Sequence, residues 1–337
     1  MFKKFIIFLL ALCCAGTLIV MILLYSAVFV WKSPVTTELL IEQGSSAKHI
    51  GRDLAAHGAI QTPSVFALWV RLNRWDQSLH FGYYQFEKGL TVQGMIDKIR
   101  RGDVMKFPFR VIEGWNLTQI ADLLRAQSFL PDPALADQFL QLVHDPDFLQ
   151  RIGFADVPSL EGYIPANTYF LMKPKNAEDV ILQLVGVLPQ FWTSADEARA
   201  AELGFSRHQV LTLASIIEKE TGRADERPLV SSVFHNRLKK GMLLQTDPTI
   251  IYGLKNYDGN IRKSDILDPH PYNTYVHAGL PPGPICSVGK EAIQAALHPA
   301  QSDYLYFVAT GVDGGHVFSR SLDEHNANVN KFQKRKS

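Results

Sequence analysis

A carboxylate in the last turn of a helix suits a general acid, and Glu218 is placed there by its neighbours in the chain. Ser206 followed three residues later by Gln209 reads as a capping box that opens the helix. Val210, Leu213, Ala214 and Ile217 then form an apolar stripe at helical spacing, with Glu218 at its edge and Gly222 as the expected stop. A negative charge in a final turn opposes the helix dipole by roughly 0.3–1 kcal/mol, and partial burial also favours the neutral acid. Both effects keep a proton available for transfer. The plainer alternative is a half-exposed glutamate that flanks a core stripe. Glu220 lies about 200° further round the helix, cannot readily share one bond with Glu218, and reads as a solvated or structurally paired residue.

Polar and aromatic side chains become dense after this helix. Val233-Phe234 and Arg237-Leu238 mark a second helical stripe, with Asn236 beside it. Asp247-Pro248 reads as an N-cap and first helical residue, whereas Gln245 just before it has no such structural role. The stiff, proline-rich stretch from Gly279 to Ile285 suits a groove wall. Tyr272 and Tyr275 beside Asn273 and Thr274 offer ring faces with amide and hydroxyl partners, the mixture an oligosaccharide needs. Gln245, Asn273, Thr274 and Tyr275 are therefore candidates for glycan binding rather than proton transfer. Residues 160–170, which mix Glu161 and Asn167 with three aromatics, read equally as a sugar groove or as a connection between helices. There is no metal-ligand spacing, glycine-rich phosphate loop or nucleophile elbow, so neither metal nor cofactor is expected.

The elements that must position these residues sit behind a membrane segment. From Phe5 to Trp31 no residue is charged, which is long enough to cross a bilayer core of about 30 Å. It is too long for a cleavable signal peptide, and Lys3 and Lys4 before it predict a cytoplasmic N-terminus. Of 34 basic residues two precede the span, and none of the 33 acidic ones does, so the exported part is nearly neutral. The short clusters Arg100-Arg101 and Lys334-Arg335-Lys336 make no basic face of the kind nucleic acid requires. Cys286 is the only cysteine beyond the span, which precludes an intramolecular disulfide there.

Three segments share a pattern of strand, glycine turn and capped helix. Gly44 is followed by Ile50 and Leu54, Gly89 by Met95 and Ile99, and Gly114 by Ile120 and Leu124, at six and ten residues in each case. The first and third strands are expected at residues 38–42 and 107–112. Pro131 and Pro133 mark a later loop. Trp69, Trp75, Phe81, Tyr83 and Tyr84 are either sugar-facing or core aromatics. The expected class is α+β, with a cytoplasmic tail at 1–4, a transmembrane anchor at 5–31, a small module at 36–105 and a catalytic domain at 106–337.

Two resemblances add to this reading. Residues 41–50 are similar to the start of a LysM domain. More extensively, Ala214-Ser-Ile-Ile-Glu-Lys-Glu220, Val233-Phe-His-Asn-Arg-Leu238, Gln245-Thr-Asp-Pro-Thr249, Tyr272-Asn-Thr-Tyr275, Gly279-Leu-Pro-Pro-Gly-Pro284 and Gly315-His-Val-Phe-Ser319, taken in order, resemble the YceG-like family of endolytic murein transglycosylases. The chain departs from that family at Ala166-Asn167, where Pro-Asp is usual. The resemblance implies a lyase of the cell inner membrane with a periplasmic catalytic domain, acting on peptidoglycan glycan strands beside peptidoglycan synthases, the penicillin-binding proteins. It maps the family's catalytic glutamate onto Glu218. A hydrolase using Asp247 or Glu220 as a second carboxylate, and a non-catalytic glycan-binding scaffold, are the alternatives.

Overall fold

In this computed structural model the described residues are 2–130, 132–311 and 314–333; Pro131 and the Lys334-Arg335-Lys336 tail lie outside them. The uncharged run forms helix α1 (Phe2–Tyr25), extended by a π-helical turn over Ser26–Val30. The resulting helix, Phe2–Val30, is long and apolar enough to cross a membrane, and none of its most apolar stretch is buried within the protein. The chain divides into two compact units, residues 1–107 and 108–337.

In the first unit, β1 (Thr37–Ile41), α2 (Ala47–Ala56), α3 (Pro63–Leu72), β2 (Gly82–Phe86) and α4 (Val92–Arg100) follow the span. The two strands pair antiparallel, from Thr37 opposite Phe86 to Ile41 opposite Gly82. Leu39 and Ile41 from β1 and Tyr84 and Phe86 from β2 close over Ile50, Leu54, Phe66, Val70, Met95 and Ile99. The repeated turn has one physical cause. Gly44, Gly89 and Gly114 adopt φ of +81°, +91° and +80°, a region that costs other residues energy. Ser46, Thr91 and Asn116 then cap the helices by accepting from the backbone N–H three residues on. All six apolar residues expected at the fixed offsets are buried. The first and third strands begin one residue earlier than expected, at Thr37 and Lys106. Tyr84 is core, while Phe81 is exposed.

The second unit continues from β3 (Lys106–Val111) through α5 (Leu117–Arg125), α6 (Leu135–Leu142) and α7 (Pro146–Arg151) to β4 (Asn167–Met172), which pairs with β3. Then come α8 (Ala177–Val185), α9 (Ser194–Glu202), α10 (Arg207–Glu220), α11 (Arg227–Lys239), α12 (Asp247–Gly253), α13 (Lys263–Ile266) and α14 (Lys290–Leu297). An antiparallel hairpin of β5 (Tyr306–Ala309) and β6 (His316–Ser319) precedes α15 (Leu322–Phe332).

Helix α10 is opened by the expected capping box, but every residue from Val210 to Ile217 is buried. It is a central helix covered on all sides rather than an amphipathic one with a single stripe. It stops at Glu220 because Thr221 turns extended, with φ −145°; Gly222 is not the cap. Residues 160–166 are likewise buried and pack in the core, whereas Thr168 and Phe170 at the end of the same segment are exposed. Gly162 has φ +76°, and a Cβ there would stand 2.4 Å from Cβ of Pro284. Gly162→Ala should lower stability by roughly 2–5 kcal/mol, combining left-handed backbone strain with overpacking. A thermal melt reads this directly.

Candidate active site

The end of α10, the start of α12, the β5–β6 hairpin and α15 surround a cavity of about 500 Å³. Its polar lining includes Glu220, Arg237, Gln245, Asp247, Tyr275, Tyr306, His316 and His325, with Phe234, Leu244, Phe307 and Val308 as apolar wall. Glu220, the last residue of α10, lines this space.

Burial is the main cause that pushes the Glu220 carboxyl up to about 7 from an ordinary 4.5. Neighbouring Asp247 adds to the rise, while the Thr246 hydroxyl, His316 and Arg237 act against it. The Thr246 hydroxyl donates to Glu220 Oε1 and so fixes the carboxyl's orientation. Arg237 is tied to the backbone. Its guanidinium donates to the carbonyls of Leu305 at 2.7 Å and of Leu243 and Leu244 at 3.2 and 2.8 Å. Tyr275 donates its phenol to Asp247 Oδ1 at 2.7 Å. His316 is held by Glu226, which accepts from its backbone N–H at 3.0 Å and lies 2.7 Å from Nδ1.

Glu218 points elsewhere. Its side chain is 3% exposed and is not part of the cavity lining. Oε1 accepts from Arg227 Nη2 at 2.9 Å and Oε2 from the Gly289 N–H at 2.9 Å. Both oxygens thus have donors, one of them a cation. The turn of about 200° between the two glutamates sends them to opposite sides of α10. Glu220, expected to be solvated or structurally paired, is paired with Thr246 and is the one that lines the cavity.

Among the four expected glycan-binding residues, Gln245 and Tyr275 line the cavity and the other two do not. Asn273 and Thr274 are 2% and 1% exposed. Thr274 shapes the loop beneath Glu220: its carbonyl accepts from the Gln245 N–H at 3.1 Å, and its hydroxyl oxygen accepts from the Thr246 N–H at 3.1 Å. Those bonds hold Gln245 at φ +52°, unusual for a residue other than glycine. Asn273 Nδ2 donates to the carbonyls of Asp265, Ile266 and Asp268 at 3.1, 3.0 and 2.7 Å. Asn273→Ala should therefore cost about 1–3 kcal/mol in folding stability through carbonyls left without a donor. A drop in denaturation midpoint larger than the loss in KM is the expected signature.

Asp247 is the first residue of α12 and Thr246 its N-cap, one position earlier than read from the sequence. That frees Asp247 to face the cavity. Arg237, Tyr306, His316 and His325 were missed as cavity residues, although Arg237 and His316 lay within segments already singled out. Glu161 was also missed as a perturbed group. Burial pushes it up to about 8, against donation from the Leu117 N–H and the Tyr252 hydroxyl, each at 3.2 Å. Cys286 is fully buried and burial pushes its thiol up.

Both raised carboxyls bind protons more tightly in the folded protein than in the unfolded chain. Their contribution to stability is present below about 4.5 and is lost as pH rises through about 7 for Glu220 and about 8 for Glu161. The denaturant midpoint should consequently fall between pH 5 and about 8.5, and Glu161→Gln should flatten that fall.

The model of the YceG-like family matches residues 39–331. An endolytic murein transglycosylase of Bacillus subtilis is 31% identical over 314 residues, covering 89% of this chain and 86% of the relative. One from Streptococcus pneumoniae is 27% identical over 316 residues, and the chain spans 57% of that longer relative. A crystal structure of a yceG-like protein from Listeria monocytogenes superposes with a TM-score of 0.59 at 32% identity, covering 87% of this chain and 98% of the other. With most of its length matched in sequence and in fold, the chain belongs to the YceG-like family.

Proposed function

We propose that the protein is a membrane-anchored endolytic murein transglycosylase in which Glu220 serves as both general acid and general base. The observation that carries this reading is that, of the two carboxyls lining the cavity, Glu220 is the one oriented by a hydroxyl and pushed up to about 7. Near neutral pH such a group is protonated in a large fraction of molecules and can return to that state after each turnover. The substrate bond is the β-1,4 linkage from N-acetylmuramic acid to N-acetylglucosamine. Glu220 gives its proton to the bridging oxygen as the bond to the muramyl anomeric carbon breaks. The muramyl 6-hydroxyl closes onto that carbon, and its proton passes to the Glu220 carboxylate. No water is consumed, the new end is a 1,6-anhydro ring, and one carboxyl suffices where a hydrolase uses two. Gln245 and Tyr275 contact the glycan, and Thr274 acts through the loop that carries Thr246. Glu218, the residue chosen from the sequence, ties α10 to Arg227 and to the Gly289 backbone.

The βααβ order of residues 37–86 supports reading the first unit as LysM-like. The apolar N-terminal helix, preceded by Lys3 and Lys4, supports a catalytic unit on the periplasmic side of the inner membrane with a cytoplasmic N-terminus. There it would trim or terminate nascent strands beside peptidoglycan synthases. Asp247 in the same cavity is the observation that favours a second reading, a two-carboxylate hydrolase. Mass spectrometry of products from purified glycan strands separates the readings. Anhydro-muramyl ends are expected; free reducing ends would establish a hydrolase, and absence of cleavage a scaffold.

A further inference from the structure

The first unit is held against the end of the span. Val28 is fully buried, and Phe29 meets Trp69 of α3 edge to face with ring centroids 5.4 Å apart. At about 100° per residue, α3 turns Val65 and Trp69 toward that end and Phe66 and Val70 into the core. The next sector around the helix carries Leu72 and Leu68, which are 61% and 47% exposed. Two large apolar side chains thus continue directly from the face that packs on the anchor. Beside them a groove of about 350 Å³ runs between α2 and α3, floored by Pro63, Ala67 and Leu68 and rimmed by Lys48, Arg52 and Arg71. Gly51 permits the close approach of the two helices, since a Cβ there would stand 2.7 Å from the Pro63 carbonyl oxygen. Arg52 reaches His49 at 3.3 Å, and among the described residues none of the three cations forms a recorded ion pair with a carboxylate.

We infer that α3 and this groove dock on the surface of the membrane that holds α1, with Leu68 and Leu72 in the interface and Lys48, Arg52 and Arg71 on the phosphates of anionic phospholipids. Apolar groups below a cationic rim match a bilayer edge, where acyl chains lie beneath phosphates. The groove lining carries no aromatic ring or amide and one hydroxyl, that of Ser64, so it is poor in the groups that hold a sugar. Docking would fix the height of the first unit above the membrane. The inference rests on α1 being a membrane span, and a second probe tests that separately.

The full chain, with Cys13 and Cys14 replaced by serine, is labelled with a nitroxide at Leu72→Cys and reconstituted in phosphatidylglycerol or phosphatidylcholine nanodiscs. In phosphatidylglycerol the label should be reached by oxygen and shielded from a water-soluble nickel chelate. Nickel access should rise several-fold in phosphatidylcholine, in the Lys48→Gln, Arg52→Gln, Arg71→Gln triple variant, and at 1 M salt, where charges are screened beyond about 3 Å. Equal nickel access under all these conditions would overturn the inference, as would shielding that appears only when glycan strands are added. A label at Leu18→Cys should remain in lipid throughout. If Leu18 is in water the span itself fails; if Leu18 is in lipid and Leu72 is not, only the docking surface does.

Discussion

Replacing Glu220 by glutamine is expected to reduce strand cleavage by roughly 10²–10⁴-fold, the usual contribution of general acid–base catalysis, while the protein stays folded. The amide keeps the shape and still accepts from the Thr246 hydroxyl, but it cannot donate and recover a proton. Because burial already favours the neutral carboxyl, the substitution removes an ionisable group that costs stability above neutral pH. The variant should consequently melt no lower than the natural protein at pH 8. A turnover assay and a melt on the same preparation check both halves.

Replacing Glu218 by alanine should produce the opposite pattern. The change leaves the Arg227 guanidinium without its carboxylate and the Gly289 N–H without an acceptor in a site of low exposure. Breaking a buried pair from one side typically costs about 3–5 kcal/mol. Thermal denaturation should show that loss, and the activity of the remaining folded molecules should stay within roughly tenfold of normal, a barrier change of about 1.4 kcal/mol. Glu218→Met combined with Arg227→Met should recover much of the stability, since no charge is then stranded.

The features legible in the sequence were those set by local chemistry. The span, the Ser206 capping box and the three glycine turns with buried residues at fixed offsets depend on neighbours within a dozen positions. The ordered motifs also marked segments that the fold brings to one cavity, including those of Gln245, Tyr275 and His316. Which glutamate faces that cavity was not legible. The choice is made by what covers each side of α10: Arg227 and Gly289 on one, Thr246 and the walls from β5, β6 and α15 on the other. Periodicity described an amphipathic stripe where the helix is enclosed all round. Nor was the burial of Asn273 and Thr274 legible, because polar side chains suited to a sugar are equally suited to bonding a tight loop from beneath.

The measurement that tests the central claim most directly is the release of anhydro-muramyl ends, per folded molecule, by Glu218→Gln and Glu220→Gln on the same uncrosslinked glycan strands. The account predicts that Glu218→Gln retains substantial release and Glu220→Gln almost none. The reverse order would return the catalytic role to Glu218, and equal loss in both would mean that two carboxylates share the proton transfers.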